Sequence, residues 1–199
     1  MRLPLVAVFA DESCLGNGRD GDNPGGAGVL LEYRTAERVI VRRDLWVSEP
    51  ATTNNKMALR SVIEIFRALD AKRRRFRVVF TTDSRYIVDG MSEWVHAWAR
   101  KGWTRKAGAI ENLELWWDAL EAAAPHAVSW RWVRGHRGHA QNEYANDLAT
   151  GAAERQDVSH GLVESRFESW RSDAGKRGEQ VDPFPAKFRA GRALPPPAQ

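Results

Sequence analysis

The apolar positions of this chain change period several times, and each change marks an element. Residues 6–10 form a short apolar run that ends on Asp11, as a buried strand does. Beyond a glycine-rich stretch, residues 29–33 and then 38–41 with 45–47 read as two further strands separated by a polar turn, so the first three strands form an antiparallel meander. The period then becomes helical: Leu59, Val62, Ile63, Phe66 and Leu69 follow the N-cap chemistry of Thr52-Thr53-Asn54-Asn55. Residues 77–82 return to a strand, again ending on an acid, Asp83, and residues 84–88 begin another helix. Residues 91–103 and 113–123 read as helices around a protruding basic turn, 128–133 alternate as a fifth strand, and 142–155 have helix-forming composition. The predicted order, β-β-β-α-β-α-α-β-α, is an α/β fold: a mixed five-stranded sheet, three antiparallel strands and then parallel crossovers, flanked by helices.

A chain of 199 residues holds one domain with a substantial core and a modest appendage. The domain is expected over residues 1–158. In the extension, residues 159–199, Phe167, Trp170, Phe184 and Phe188 point to partial docking, and the Pro195-Pro196-Pro197 end is expected to be disordered. With 43% hydrophobic and 28% charged residues, and no apolar run near the ~20 residues of a membrane span, a membrane partner is excluded. The amino terminus lacks the sections of a secretion signal, and the lone Cys14 can form no internal disulfide, so a cytoplasmic monomer is expected.

Charge adds little as a total, +4, and more as a distribution. Arg100, Lys101, Arg105 and Lys106 stand among Trp94, Trp98 and Trp103, the cation and aromatic mixture of a nucleic-acid surface. Trp94 and Trp98 are also four residues apart on one helix face, so core packing is the competing expectation for them and for most of the nine tryptophans. Asp11 and Asp83 each follow an apolar strand, which places both carboxylates at strand carboxyl ends, where open α/β sheets put their ligand sites. Either acid alone would be a helix or turn cap.

Five segments carry a resemblance. Asp11-Glu12-Ser13-Cys14-Leu15-Gly16-Asn17, Gly25-Gly26-Ala27-Gly28, Thr52-Thr53-Asn54-Asn55-Lys56-Met57, Thr82-Asp83-Ser84-Arg85-Tyr86 and Gly135-His136-Arg137-Gly138-His139 resemble, in order and spacing, the motifs of bacterial type 1 ribonuclease H over about residues 5–152. The resemblance implies an endonuclease that cuts the RNA strand of RNA/DNA hybrids with two Mg²⁺ ions held by four carboxylates; whether Mn²⁺ can replace Mg²⁺ is not read from the sequence. Asp11 and Asp83 match two of the four. His136 matches the family's loop histidine, which assists proton transfer or product release. Asn17, Thr53, Asn54, Asn55 and Arg85 match positions that contact sugars and phosphates of the hybrid, and the 94–106 stretch resembles the basic protrusion that straddles the DNA strand.

The other two metal positions depart from the pattern. Ala58 stands where the family has glutamate, and Asn146 where it has aspartate. A methyl group binds no metal; an amide oxygen ligates a hard cation without neutralising it. Two divalent ions about 4 Å apart repel by roughly 17 kcal/mol at an effective dielectric of about 20, so two carboxylates balance them poorly. Glu12 should point away from Asp11 along a strand, and Asp147 is turned about 100° from Asn146 on a helix, so neither is expected to substitute. Weak or absent cleavage follows, with Ala58 either an introduced substitution or the mark of a non-catalytic hybrid-binding module.

Overall fold

The computed structural model describes residues 3–16, 23–135, 137–173 and 180–198. Its sheet has the order β5-β4-β1-β2-β3-β6, formed by β1 (Leu5–Cys14), β2 (Gly25–Arg34), β3 (Ile40–Glu49), β4 (Arg77–Thr82), β5 (Ala127–Trp132) and β6 (Val163–Glu164). The first three strands are the expected antiparallel meander, and β1, β4 and β5 run parallel. Parallel neighbours need crossovers. Helix α1 (Asn54–Asp70) supplies the first; α2 (Arg85–Asp89), a π-helical turn (Gly90–Trp94), α3 (Val95–Arg100) and α4 (Leu113–Ala123) supply the second. Helix α5 (Ala140–Arg155) follows β5, and α6 (Phe167–Ser172) lies in the extension.

Alternation along β1 sorts its side chains onto two layers. Val6, Val8 and Ala10 join the main core with Ala58, Val62 and Phe66 of α1. Ala7 and Phe9 join the opposite layer with Leu30, Ala140 and Tyr144 of α5, and Phe167 of α6. Helix α5 lies very close to the sheet: a Cβ at Gly26 or Gly28 would overlap its backbone at Ala149 or Ala145. Those two glycines set the depth of α5 and so the height of its side chains above the end of β1.

Two features differ from the sequence expectation. The sheet has a sixth strand where five are expected; β6 is two residues long, too short to show a period, and it covers β3 at Arg43 and Asp44. The single helix expected over 91–103 is instead a π-helical turn followed by α3, closed by Gly102 and Trp103, both at positive φ. In the extension, Phe184 and Phe188 lie under the guanidinium groups of Arg34 and Arg77, with 4.7 and 5.7 Å to the ring centroids. The proline-rich end has no helix or strand, yet Leu194 packs on the main core and Gly191 N–H donates to Val128 O at 2.7 Å.

Candidate active site

Parallel pairing brings the two strand-end acids together. Ala10 and Thr82 are the last Cα partners of β1 and β4, so Asp11 and Asp83 follow directly at the same end of neighbouring parallel strands, and Asp11 feels the charge of Asp83. Asp11 lies on the α5 face, since it continues the alternation of Ala7 and Phe9. Asn142 Nδ2 donates to Asp11 Oδ2 at 2.9 Å, and Asp11 Oδ1 accepts from Glu12 N–H at 2.8 Å. Asp11 is buried, and burial together with the charge of Asp83 pushes its carboxyl up to about 8, with Glu143 adding to the rise and the Glu12 and Asn142 hydrogen bonds opposing it.

Glu12 points to the other face of β1 from Asp11, as the alternation predicts, and that is the α1 face, where Val8, Ala10 and the buried Ala58 lie. Its carboxyl is raised well above the usual range by burial first and then by the charges of Asp11 and Asp83, against a hydrogen bond with Ser84. A third carboxyl thus lies near enough to feel the charges of the pair, on the face of β1 that carries Ala58. Its signal in the sequence is the alternation itself, combined with the helix position left empty by Ala58.

Asn146 lies one turn beyond Asn142 on the same side of α5. Asn142, which fastens Asp11, and Glu143, whose charge Asp11 feels, escape the sequence reasoning; each is readable as a neighbour of position 146 on one helix. Asp147 is turned away, its carboxylate accepting from Trp170 Nε1 of α6, as expected for a residue that does not substitute. Among the described residues no three His, Cys, Asp or Glu side chains stand grouped so as to hold a metal ion. The donor chemistry nevertheless suits a hard divalent cation: the carboxyls of Asp11, Glu12 and Asp83 are oxygen donors whose burial and mutual repulsion such an ion would relieve.

The remaining sequence candidates form the rim. Thr53 caps α1, its hydroxyl accepting from Lys56 N–H at 3.4 Å, with Asn54 and Asn55 opening the helix. Asn54 Oδ1 is shielded from solvent and accepts no hydrogen bond among the described residues. Arg85 is exposed, its guanidinium 4.0 Å over the ring of Trp132 and 3.8 Å from Asp89. Gly135 packs directly on Asp83: a Cβ there would overlap the Asp83 carboxylate, so the loop after β5 closes over the site. Asn17 and His136 lie outside the described residues. Trp94 and Trp98 pack with Tyr86 and the buried Trp116, and Trp103 meets Trp117 edge-on, so the protrusion commits its rings inward and presents Arg100, Lys101, Arg105 and Lys106 outward.

A family model described as RNase H matches residues 4–154. The Ribonuclease H of Erythrobacter litoralis (strain HTCC2594) is 43% identical over 155 residues, 77% of this chain and 99% of that protein. The Ribonuclease H of Halorhodospira halophila (strain DSM 244 / SL1) is 47% identical over 146 residues, 73% of this chain and 90% of that protein. Among solved structures, LC9-RNase H1, described as a type 1 RNase H with the type 2 active-site motif, superposes with a TM-score of 0.93 at 64% identity, covering 98% of this chain and 95% of that one. Among the described residues no helix is long and apolar enough to cross a membrane.

Proposed function

Since this chain belongs to the ribonuclease H family, we propose that it is a metal-dependent endonuclease that cuts the RNA strand of RNA/DNA hybrids, with Glu12 doing from β1 what the missing side chain at position 58 cannot. One observation carries the reading: Asp11 and Asp83 end neighbouring parallel strands with Glu12 beside them, and burial together with the charge of Asp83 pushes the Asp11 carboxyl up to about 8. Asp11, Glu12 and Asp83 would hold Mg²⁺, or Mn²⁺ in its place, and the metal would supply Lewis acidity and an activated water for in-line attack on the scissile phosphate.

The protein's part is to hold and to orient. Asn142 fixes the rotamer of Asp11, and Gly135 keeps the loop close enough to confine Asp83. Thr53, Asn54 and Asn55 offer hydroxyl and amide groups to the RNA 2′-OH, the feature that separates RNA from DNA. The outward cations of the protrusion take the phosphates of the DNA strand. His136, next to Gly135 in the chain, is the residue for proton transfer or product departure. Asn146 leaves the ligand set one negative charge short of four carboxylates, so full activity needs more Mg²⁺ than a four-carboxylate relative requires.

The test is cleavage of a hybrid labelled on either strand, beside duplex DNA, with and without Mg²⁺. Cutting confined to the RNA strand, dependent on a divalent ion and abolished by Asp11→Asn or Asp83→Asn, is expected. Mg²⁺-dependent hybrid binding without any cutting would instead establish a non-catalytic binding module, the reading that Ala58 and Asn146 favour when Glu12 is left out.

A further inference from the structure

The extension leaves the β3 edge at β6 and returns to the active-site edge. Gln180 pairs with His139 as a parallel bridge: Gln180 N–H donates to Gly138 O at 2.8 Å and Ala140 N–H to Gln180 O at 3.0 Å. Two residues on, Asp182 and Gln141, both buried, bond reciprocally. Asp182 N–H donates to Gln141 Oε1 at 3.0 Å, and Gln141 Nε2 donates to Asp182 O at 2.9 Å. The Asp182 carboxylate lies 2.8 Å from Arg131 Nη2 on β5 and 3.1 Å from His139 Nε2. His139 is the N-cap residue of α5 and makes no side-chain cap bond, so this helix start is held from outside. The fastened segment lies between Gly135, which confines Asp83, and Asn142, which holds Asp11.

We propose that residues 180–182 are a strap that sets the β5–α5 loop over the metal site, with Asp182 a positioning residue for metal binding; the catalytic part of this inference rests on the hydrolase reading. Asp182 holds the end of β5 through the Arg131 guanidinium and the start of α5 through its backbone bonds to Gln141, so it ties together the two elements that carry the loop. Gln141 is the chain neighbour of Asn142, and a shift of its backbone moves the amide that orients Asp11. Outer groups of this kind act on ligand geometry rather than on substrate contact.

The test uses full-length Asp182→Ala, Asp182→Asn and Phe188→Ala. Phe188 docks the extension on Arg77, at the end of the β4–β5 pair opposite the loop, and serves as the control. Asp182→Ala is expected to speed amide exchange over residues 138–143 and to raise the Mg²⁺ giving half-maximal cleavage about tenfold, with KM for the hybrid unchanged. Asp182→Asn, which keeps a side-chain oxygen for Arg131 but loses the charge, gives a smaller shift, and Phe188→Ala gives none. Unchanged exchange over 138–143 in Asp182→Ala, a lower melting temperature with an unchanged Mg²⁺ requirement, or an equal effect of Phe188→Ala would each overturn the strap. If the parent chain cuts no hybrid, the hydrolase reading fails, while exchange and calorimetric Mg²⁺ titration still decide the strap by the same shifts.

Discussion

The two faces of strand β1 end differently. On the α5 face Asp11 meets amides: Asn142 donates to it, and Asn146 follows one turn on. On the α1 face the helix offers only the methyl of Ala58, and the strand itself supplies the acid, Glu12. In the proposed metal site one side keeps its helix donor in neutral form; the other lacks a helix donor and takes its charge from the strand, one residue along from Asp11. The proposed ligand set is defined by the space its oxygens share, not by the element that carries them.

The comparison breaks most sharply at Glu12. A direct ligand should cost more than the 10–100-fold typical of an outer partner, so Glu12→Gln is expected to lower kcat by at least about 100-fold. Ala58→Glu alone should not improve the enzyme. Position 58 is buried in the main core, where added bulk costs about 1–3 kcal/mol, and the new carboxylate would join a crowded group of acids. The double variant Glu12→Gln with Ala58→Glu should recover part of the missing cleavage. Cleavage assays and melting curves of the three variants check this; full activity in Glu12→Gln would show that the two faces are not interchangeable.

A smaller effect is expected at the loop. Gly135→Ala places a methyl against the Asp83 carboxylate, and either the loop or the carboxylate must move. Cleavage should fall about tenfold, as for other disturbances of a ligand's surroundings, and the melting temperature should change little because the loop lies outside both core clusters.

Most of the architecture is legible in the sequence because it rests on period. Residues 6–10 and 77–82 are apolar runs with an acid at the end, and Leu59 to Leu69 repeat at helical spacing; these fix β1, β4 and α1 and bring Asp11 and Asp83 together. What stays hidden depends on relations between elements. Alternation assigns Glu12 to the correct face of β1, but its worth depends on what α1 presents there, and a strand's own pattern does not carry that. Asn142 is hidden because its hydrogen bond depends on how deeply α5 lies on Gly26 and Gly28. Strand β6 and the 180–182 bridge are too short to have a period, and they form because the edge of β3 and the start of α5 offer partners.

The proton held by Asp11 gives the comparison a pH signature. Its carboxyl rises from 3.8 to about 8, so between those values the folded metal-free chain binds more protons than the unfolded one. Its stability contribution is therefore greatest at low pH and is lost as pH climbs toward about 8. Mg²⁺ competes with that proton, so the Mg²⁺ needed for half-maximal cleavage should fall as pH rises through the same range. Melting curves of the metal-free protein across this range, with Asp11→Asn flattening the trend, check the first statement, and Mg²⁺ titrations of cleavage check the second.

The smallest effect on chemistry is expected where neither face of β1 is involved. Arg100, Lys101, Arg105 and Lys106 are exposed on a protrusion whose rings pack inward, and among the described interactions none joins them to the site acids. Replacing all four by glutamine should leave kcat at saturating hybrid unchanged and weaken binding at low salt. For every phosphate that the variant no longer neutralises, the slope of log affinity against log salt should shrink by about 0.9, so its binding becomes flatter with salt as well as weaker. Trp103→Phe keeps the edge-on packing against Trp117 and should leave that slope alone. A salt dependence unchanged in the four-fold variant would remove the protrusion from the binding surface, and a fall in kcat at saturation would mean that the protrusion and the β1 edge are coupled after all.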